Sequence, residues 1–347
     1  MKNAYALQFT TSGRATISMR GSSYRVKLEY SYDSIDWSKW DLSALTINSG
    51  DTLYIRGNNP NGLSHKNVKY YKFIMEGSKV RCYGNIMSLI DYKNLPDVIP
   101  CDYCFYGLFE NCTALTTAPE LPATKLADYC YANMFSECSS LTTAPELPAT
   151  MLAESCYSGM FSYCSSLKTA PKLSAKTLAD SCYGHMFSGC TSLTTAPELP
   201  ATTLKENCYE SMFSKCTSLT IAPELPATKL AAGCYGYMFE VCTSLINAPE
   251  LPAMTLAEWC YEGMFYGCTA LTTVPELPAT KLADYCYRLM FYRCTALTTA
   301  PELPATKLTK DCYYQMFDGC TSLKNKPKLT ESYKPIMTFK EYCQSQL

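Results

Sequence analysis

Hydrophobic and polar positions repeat with a fixed period of 26 residues over most of the chain, from residue 104 to 329. From Leu126 to Cys138, apolar residues recur every four positions with one extra neighbour, which is typical of a short amphipathic helix. Thr124 precedes this stretch as a candidate N-cap. From Leu141 onward, two prolines per copy predict an extended segment that can pair as a parallel strand over about three or four residues. Each copy therefore predicts a short strand or extended segment plus a helix of about three turns.

The repeat occurs nine times without any change of spacing, and each copy carries a second Cys eight residues after its first. The first cysteines are Cys104, Cys130, Cys156, Cys182, Cys208, Cys234, Cys260, Cys286 and Cys312. A fixed period of this length indicates a solenoid, in which each unit packs only against its neighbours. We therefore predict an α/β solenoid, a leucine-rich-repeat-like array of nine 26-residue coils. Its core is predicted from the positions that every copy keeps, exemplified by Cys130, Phe135, Cys138 and Leu141.

The regions before and after the repeats differ from them in pattern. Stretches of alternating apolar and polar residues, separated by Gly, Ser and Asp, predict β-strands in the N-terminal region. These stretches are Leu7–Thr10, Ala15–Met19, Tyr24–Tyr30 and Thr52–Arg56. The predicted domains are a small all-β sandwich-like docking domain (1–65), a capping hairpin or transition (66–103), the solenoid (104–329) and a C-terminal cap (330–347).

The charge balance and hydropathy narrow the possible partners. The chain has 30 basic and 31 acidic residues, a net charge of −1, so we expect no attraction to nucleic acid. No stretch reaches the roughly 18 consecutive apolar residues of a membrane span. The first residues also lack the apolar centre of a signal peptide.

Most of the 21 cysteines form the two repeated columns of nine, an odd number that cannot pair fully within a column. On a helix, two residues eight apart are separated by about 12 Å, whereas a disulfide needs its Cα atoms within about 7 Å. We predict buried free thiols that act as small hydrophobic groups. Bridges between neighbouring coils, or a metal on one thiol column, remain alternatives.

The sequence contains no recognisable catalytic motif. Its two histidines, His65 and His185, are far apart, and neither belongs to a pattern typical of a triad or zinc site. The one CxxC motif, Cys101 to Cys104, arises where Cys101 replaces the usual Ala of the repeat, which argues against a redox role. We predict that the protein is not an enzyme and has no metal site and no cofactor.

Positions that vary between copies are the predicted solvent-facing slots, and in the later copies they carry aromatic residues. These are Tyr237, Trp259, Tyr266, Tyr285, Tyr292 and Tyr314. Rigid amphipathic rings give a large contact area at low entropic cost. We therefore predict that they contact a glycan or a protein; the alternative is that they only shield the edges of the helices.

One slot of the extended segment carries a glutamate in most copies. Its members are Glu120, Glu146, Glu198, Glu224, Glu250, Glu276 and Glu302. At strand spacing these carboxylates would lie about 5 Å apart. A solvated face with lysine partners is the favoured interpretation, and a calcium-binding ladder is the alternative.

The motif shared by the copies resembles the BspA-like class of leucine-rich repeats, over about 104–329. This motif reads Met-Phe-x-x-Cys-Thr-Ser-Leu-Thr-Thr-Ala-Pro-Glu-Leu-Pro-Ala-Thr. That class occurs in surface proteins of gut and oral anaerobic bacteria and in some of their phages. The N-terminal segments Leu28–Asp33, Tyr54–Gly57 and Gly84–Leu89 also look like the module that often precedes these repeats. The resemblance implies adhesion to host proteins, matrix or other cells, and no enzymatic activity.

Together these observations predict a non-catalytic adhesion or recognition protein that binds a cell-surface protein or glycan of a host or bacterial cell. Its predicted location is extracellular or at the cell surface, and the N-terminal domain could support an oligomer. The alternative is a structural component of a phage virion, such as a fibre or decoration protein, whose partners are other virion proteins.

Overall fold

A computed structural model describes residues 5–21, 26–64 and 70–324 of the chain. The chain forms two units, residues 1–174 and 175–347. The predicted C-terminal cap at 330–347 lies outside the described residues.

The first unit begins with a series of short β-strands. They are β1 (Leu7–Thr11), β2 (Ala15–Arg20), β3 (Leu28–Ser31), β4 (Ser38–Lys39), β5 (Leu45–Ile47), β6 (Thr52–Gly57), β7 (Lys72–Gly77), β8 (Val80–Tyr83) and β9 (Leu115–Thr117). Buried and partly exposed side chains alternate along β1 and β6, as expected for strands with one face on a core. Strands β1, β2 and β6 lie at three of the predicted places, and β3 covers the described end of the fourth.

The strands form two sheets, with the orders β4-β3-β6-β1-β8-β9 and β5-β2-β7. Phe9 of β1 and Phe73 of β7 pack with their ring centroids 5.4 Å apart, which joins the two sheets. Phe73 also stacks on Phe109 of the first repeat at 5.0 Å. Strands β7 and β8 come from the stretch predicted to be a capping hairpin, and a 3-10 helix, Ile86–Leu89, follows them.

The predicted three-turn helix of each copy is wrong. In the part of the chain that the structure describes, the one helix is the 3-10 helix Ile86–Leu89. The stretch from Leu126 to Cys138 is instead largely a run of overlapping turns. The N–H of Met134 donates to the carbonyl of Tyr131 at 3.1 Å, three residues back, whereas an α-helix uses the carbonyl four residues back.

Every fourth residue of this turn segment has a left-handed backbone. The φ angles are 56° at Tyr129, 54° at Asn133 and 62° at Glu137. A type II turn requires positive φ at its third residue. Turns that recur every four residues place apolar side chains at i and i+4, as a helix does, so the hydrophobic pattern alone could not separate the two structures.

The equivalent positions are left-handed in each of the nine copies. We call them left-handed slots one, two and three: the residue before the first Cys, and the residues three and seven after it.

The remaining N–H groups of the turn segment bond to the next copy. Ala132 and Met134 donate within their own copy, while Tyr131 donates to the carbonyl of Cys156 at 3.0 Å and Phe135 donates to that of Met160 at 2.9 Å. A helix would use all of these donors internally. The alternation therefore satisfies the buried backbone of one copy and ties it to the next.

Side chains from the turn segment fill the interior of each copy. Cys130, Phe135, Cys138 and Leu141 are fully buried, and no disulfide joins any of the described cysteines. The thiol of Cys138 donates to the carbonyl of Phe109 at 3.0 Å. In the second unit, Cys216 donates in the same way to Phe187 at 3.1 Å. The second Cys of the repeat thus acts as a hydrogen-bond donor as well as a small apolar group.

The extended half of each copy pairs less than predicted. Between neighbouring copies the parallel pairing is reduced to single bridges, such as Thr143 with Thr169 in the first unit and Thr195 with Ile221 in the second. Proline cannot donate to a ladder, which limits this pairing. Each unit therefore has a repeat solenoid-like arrangement built mainly from turns and extended segments.

Candidate functional site

The predicted aromatic residues all lie in the second unit, and three of them occupy left-handed slots: Tyr237, Trp259 and Tyr285. Trp259 (φ 54°) and Tyr285 (φ 58°) hold slot one of consecutive copies. The three copies immediately before them fill this slot with the smaller residues Ser181, Asn207 and Gly233. Left-handed backbone costs a non-glycine residue about 1–2 kcal/mol, so backbone preference does not explain the bulky rings.

Trp259 and Tyr285 stack on each other. Their ring centroids are 5.7 Å apart and the planes are 16° from parallel. Trp259 is 40% exposed, and the ammonium nitrogen of Lys310 lies 5.2 Å from the centroid of Tyr285. A hydrogen bond with Tyr285 raises the pKa of Lys310. The stack thus combines an exposed indole with a positive charge.

A partly buried ion pair connects further rings to this stack. Glu262 accepts a hydrogen bond from the hydroxyl of Tyr237 at 3.2 Å and pairs with Arg288 at 3.2 Å. The guanidinium carbon of Arg288 lies 5.8 Å from the ring centroid of Tyr285 and 5.7 Å from that of Tyr314. Arg288 therefore connects Tyr237, Trp259, Tyr285 and Tyr314, which we call the ring group.

Burial shifts the pKa values of the Glu262 carboxyl and the Tyr237 hydroxyl. It raises the pKa of the Glu262 carboxyl, and the charge of Arg288 acts in the opposite direction. Burial, followed by the nearby charge of Glu262, raises the pKa of Tyr237 to about 12. Tyr237 therefore keeps its proton at neutral pH and remains a donor to Glu262.

Gly263 leaves the space that the Tyr237 ring uses. A Cβ on Gly263 would lie 2.3 Å from Cε1 of Tyr237, and Gly263 itself has a φ of 54°. The ring of Tyr237 therefore lies against glycine backbone, and a side chain at residue 263 would displace it.

The other two predicted residues form a separate pair, which we call the ring pair. Tyr266 and Tyr292 stack with centroids 4.8 Å apart and planes 17° from parallel. The guanidinium carbon of Arg293 lies 5.2 Å from the centroid of Tyr292. The six predicted residues are thus a group of four and a pair, each beside an arginine.

The comparison with known families bears on these repeats. A model of the BspA type leucine-rich repeat region, of six copies, matches residues 101–220, 132–253 and 235–343. Together the matches span more than half of the chain. The chain belongs to the BspA-type leucine-rich repeat family. Searches of the curated proteins and of the solved structures gave no match.

BspA-type leucine-rich repeat proteins are typically surface-associated and generally non-catalytic, and leucine-rich repeats typically mediate protein interactions. Among the described residues, no helix is long and apolar enough to cross a membrane. The family therefore points to interaction with other molecules rather than to chemistry.

Sequence reasoning missed a second aromatic cluster in this BspA-type protein, which lies in the first unit. Tyr103 and Tyr129 stack with centroids 4.7 Å apart and planes 2° from parallel. Tyr106 packs against Tyr70 at 4.9 Å, and the hydroxyl of Tyr129 donates to Glu154 at 2.7 Å. Tyr103 and Tyr129 occupy slot one, so comparing that slot across all nine copies would have found them.

The glutamate column does not form a recognisable metal centre. Its members are exposed on the extended segments. In the described ranges, no group of three or more His, Cys, Asp or Glu residues could hold a metal ion. The structure therefore offers no candidate for the calcium ladder within those ranges.

The CxxC cysteines lie side by side. A hydrogen bond from the thiol of Cys104 lowers the pKa of the half-buried Cys101, whereas burial raises the pKa of Cys104. A Cβ on Gly62 would lie 2.4 Å from Sγ of Cys101, so the glycine backbone lies against one side of this half-buried thiol. His185 occupies a left-handed slot with a φ of 56°, and His65 lies outside the described residues.

Proposed function

We propose that this BspA-type leucine-rich repeat protein is a non-catalytic adhesion or recognition protein, and that its ring group binds a protein or glycan at a host or bacterial cell surface. The observation that carries the proposal is the stack of Trp259 on Tyr285. Both residues are held in left-handed slots, where earlier copies of the second unit use small residues. The left-handed backbone is common to all nine copies, so these two slots are distinguished by the bulky ring that each carries.

The chemistry of the ring group suits recognition. Tryptophan, tyrosine and arginine are the residues that most often dominate binding energy at interfaces. Rings lose little conformational entropy on binding, and Glu262 holds the Arg288 guanidinium in place before a partner arrives. A stacked ring surface next to cations could contact either the apolar face of a sugar or an apolar peptide side chain.

The test begins with a glycan array and a panel of purified extracellular-matrix proteins, probed with the full chain. For a probe that binds, Trp259→Ala and Tyr285→Ala should each weaken the affinity at least tenfold, because truncating a central aromatic anchor commonly costs that much or more. The matched control is Tyr163→Ala. Tyr163 is 49% exposed and also occupies a left-handed slot, but it belongs to the other unit and to neither ring cluster.

An unchanged affinity in the Trp259→Ala, Tyr285→Ala double variant would rule out the ring group as the contact surface. The location is tested separately, by mass spectrometry of washed cell surfaces and of purified phage particles. Stoichiometric peptides in the particles would replace the cell-surface proposal with the virion alternative.

A further inference from the structure

A row of polar side chains crosses the outer face of the six-stranded sheet in the first unit. Strand register pairs Thr10 of β1 with Arg81 of β8, and Arg81 with Thr117 of β9. Directly paired residues point to the same face, about 5 Å apart. Their neighbours Phe9, Val80 and Leu115 fill the core on the opposite face. The row therefore presents hydroxyl, guanidinium and hydroxyl groups side by side.

A β-bulge aligns this row. The pairing of β8 with β9 shifts between Val80 and Arg81, so that Val80 pairs with Leu115 but Arg81 pairs with Thr117. Thr116 is the extra residue, and its hydroxyl bonds to the carbonyl of Val80 at 3.1 Å. Bulges commonly redirect side chains next to functional sites. Without this one, Arg81 would pair with Thr116 and Thr117 would point to the core face.

The row lines a groove of about 350 Å³. The groove is lined by Thr10, Thr11, Ser12, Lys79, Arg81, Thr116, Thr117 and Thr142, which include two cations, six hydroxyls and no carboxylate. The ammonium of Lys79 donates to the carbonyl of Thr113 at 3.2 Å and also to the hydroxyl of Ser140.

Arg81, by contrast, has no hydrogen-bond or ion-pair partner among the described residues, and its side chain is exposed. The groove therefore has an uncompensated positive charge with a free bidentate donor.

An aromatic ring lies beside the charge. Tyr83 is two residues beyond Arg81 on β8, hence on the same face, and it is 42% exposed. Register places Tyr54 and Tyr83 on either side of Gln8, in the row next to that of Arg81. A ligand held by Arg81 would thus have a ring surface about 7 Å away along the strand.

We propose that this face binds a carboxylate-bearing sugar, such as a uronic or sialic acid residue of a glycan. Arg81 forms a bidentate pair with the carboxylate, as guanidinium geometry allows. The hydroxyls of Thr10 and Thr117 bond to the sugar hydroxyls, and Tyr83 contacts the apolar face of the ring. A bare inorganic anion would use the cation but neither the hydroxyl row nor the aromatic ring.

The test is calorimetric titration of the full chain with N-acetylneuraminic acid, methyl glucuronide, methyl glucoside and sodium sulfate. We expect at least one acidic sugar to bind tenfold or more tightly than methyl glucoside and sulfate. Arg81→Gln should abolish that binding. Thr10→Val, which keeps the shape and removes one hydroxyl, should weaken it severalfold. The matched control is Arg20→Gln, because Arg20 is an exposed arginine of the other sheet.

Equal binding of sulfate and the acidic sugars would reduce the site to a simple anion site and overturn the proposal. So would equal binding of the glucoside, undetectable binding of every probe, or full affinity in a folded Arg81→Gln protein. Trp259→Ala lies in the other unit and should leave this binding unchanged, so the outcome is independent of the ring group.

Discussion

At the scale of single residues, the backbone conformation of a left-handed slot does not depend on which side chain occupies it. Hydrogen bonds to the next copy hold the backbone in place, as at Tyr131 and Phe135, so the slot keeps its conformation whatever residue it contains. Lys215 (φ 61°), Val241 (φ 56°) and Trp259 (φ 54°) all adopt it. A non-glycine side chain in such a slot therefore carries a strain cost, which the contacts of that side chain can offset.

This strain predicts that glycine should stabilise an exposed slot. Lys215→Gly should raise the free energy of unfolding by about 0.5–1 kcal/mol, because relief of the left-handed conformation exceeds the entropic cost of glycine. Chemical denaturation monitored by tyrosine fluorescence measures the change. Lys229→Gly is the control, since Lys229 lies exposed on an extended segment of the same unit and lacks positive φ; it should destabilise. A Lys215→Gly protein less stable than wild type would contradict the strain argument.

Thiol reactivity should differ sharply between the cysteines. The pKa of Cys101 is lowered by the hydrogen bond from Cys104, whereas burial raises the pKa of Cys216 to about 12. The thiolate is the reactive form, so at pH 7 iodoacetamide should label Cys101 first among the described cysteines, and Cys216 only after denaturation. The labelling rate at Cys101 should rise with pH and level off above its pKa.

Peptide mass spectrometry locates the label, and Cys101→Ser should remove the fast phase. Fast native labelling of Cys216 or Cys104 would show that the thiol columns are more accessible than their burial indicates.

At the scale of elements, the turn segment shows how far sequence patterning reaches. The fixed period and the invariant positions predict which residues are buried, and Cys130, Phe135 and Cys138 are indeed fully buried. The same i, i+4 spacing also predicted a helix, because nothing in it distinguishes a four-residue turn period from a helical one. Non-glycine residues with positive φ, such as Asn133 and Glu137, cannot be recognised from residue type alone.

The turn-built repeat predicts a far-ultraviolet circular dichroism spectrum without helical minima. A helix of about three turns in each copy would give a strong 222 nm band, whereas overlapping turns hydrogen-bonded between copies should not. The control is the spectrum in 50% trifluoroethanol, which should convert part of the chain to helix and produce the band. A helical spectrum in water would contradict the turn assignment.

At the scale of the whole molecule, each unit carries its own aromatic cluster. The contacts within these clusters depend on which residues of neighbouring copies lie side by side, and the sequence alone does not give this register. The ring residues could be named from sequence, but the pairing of Arg288 with Glu262 could not. That pair joins residues one full period apart and exists because equivalent slots of neighbouring copies lie side by side. The row formed by Thr10, Arg81 and Thr117 was even less predictable from sequence, because it depends on the strand order and on one β-bulge.

The copies share the same turn backbone and closely similar buried side chains, yet they differ at the left-handed slots. An exchange between misaligned copies of the coding sequence would therefore add, remove or move a ring by a whole 26-residue step while leaving every interior contact type in place. Such a protein can acquire a new binding pattern by rearranging segments it already has. The set of exposed rings could therefore change in a single step, faster than successive point mutations would permit.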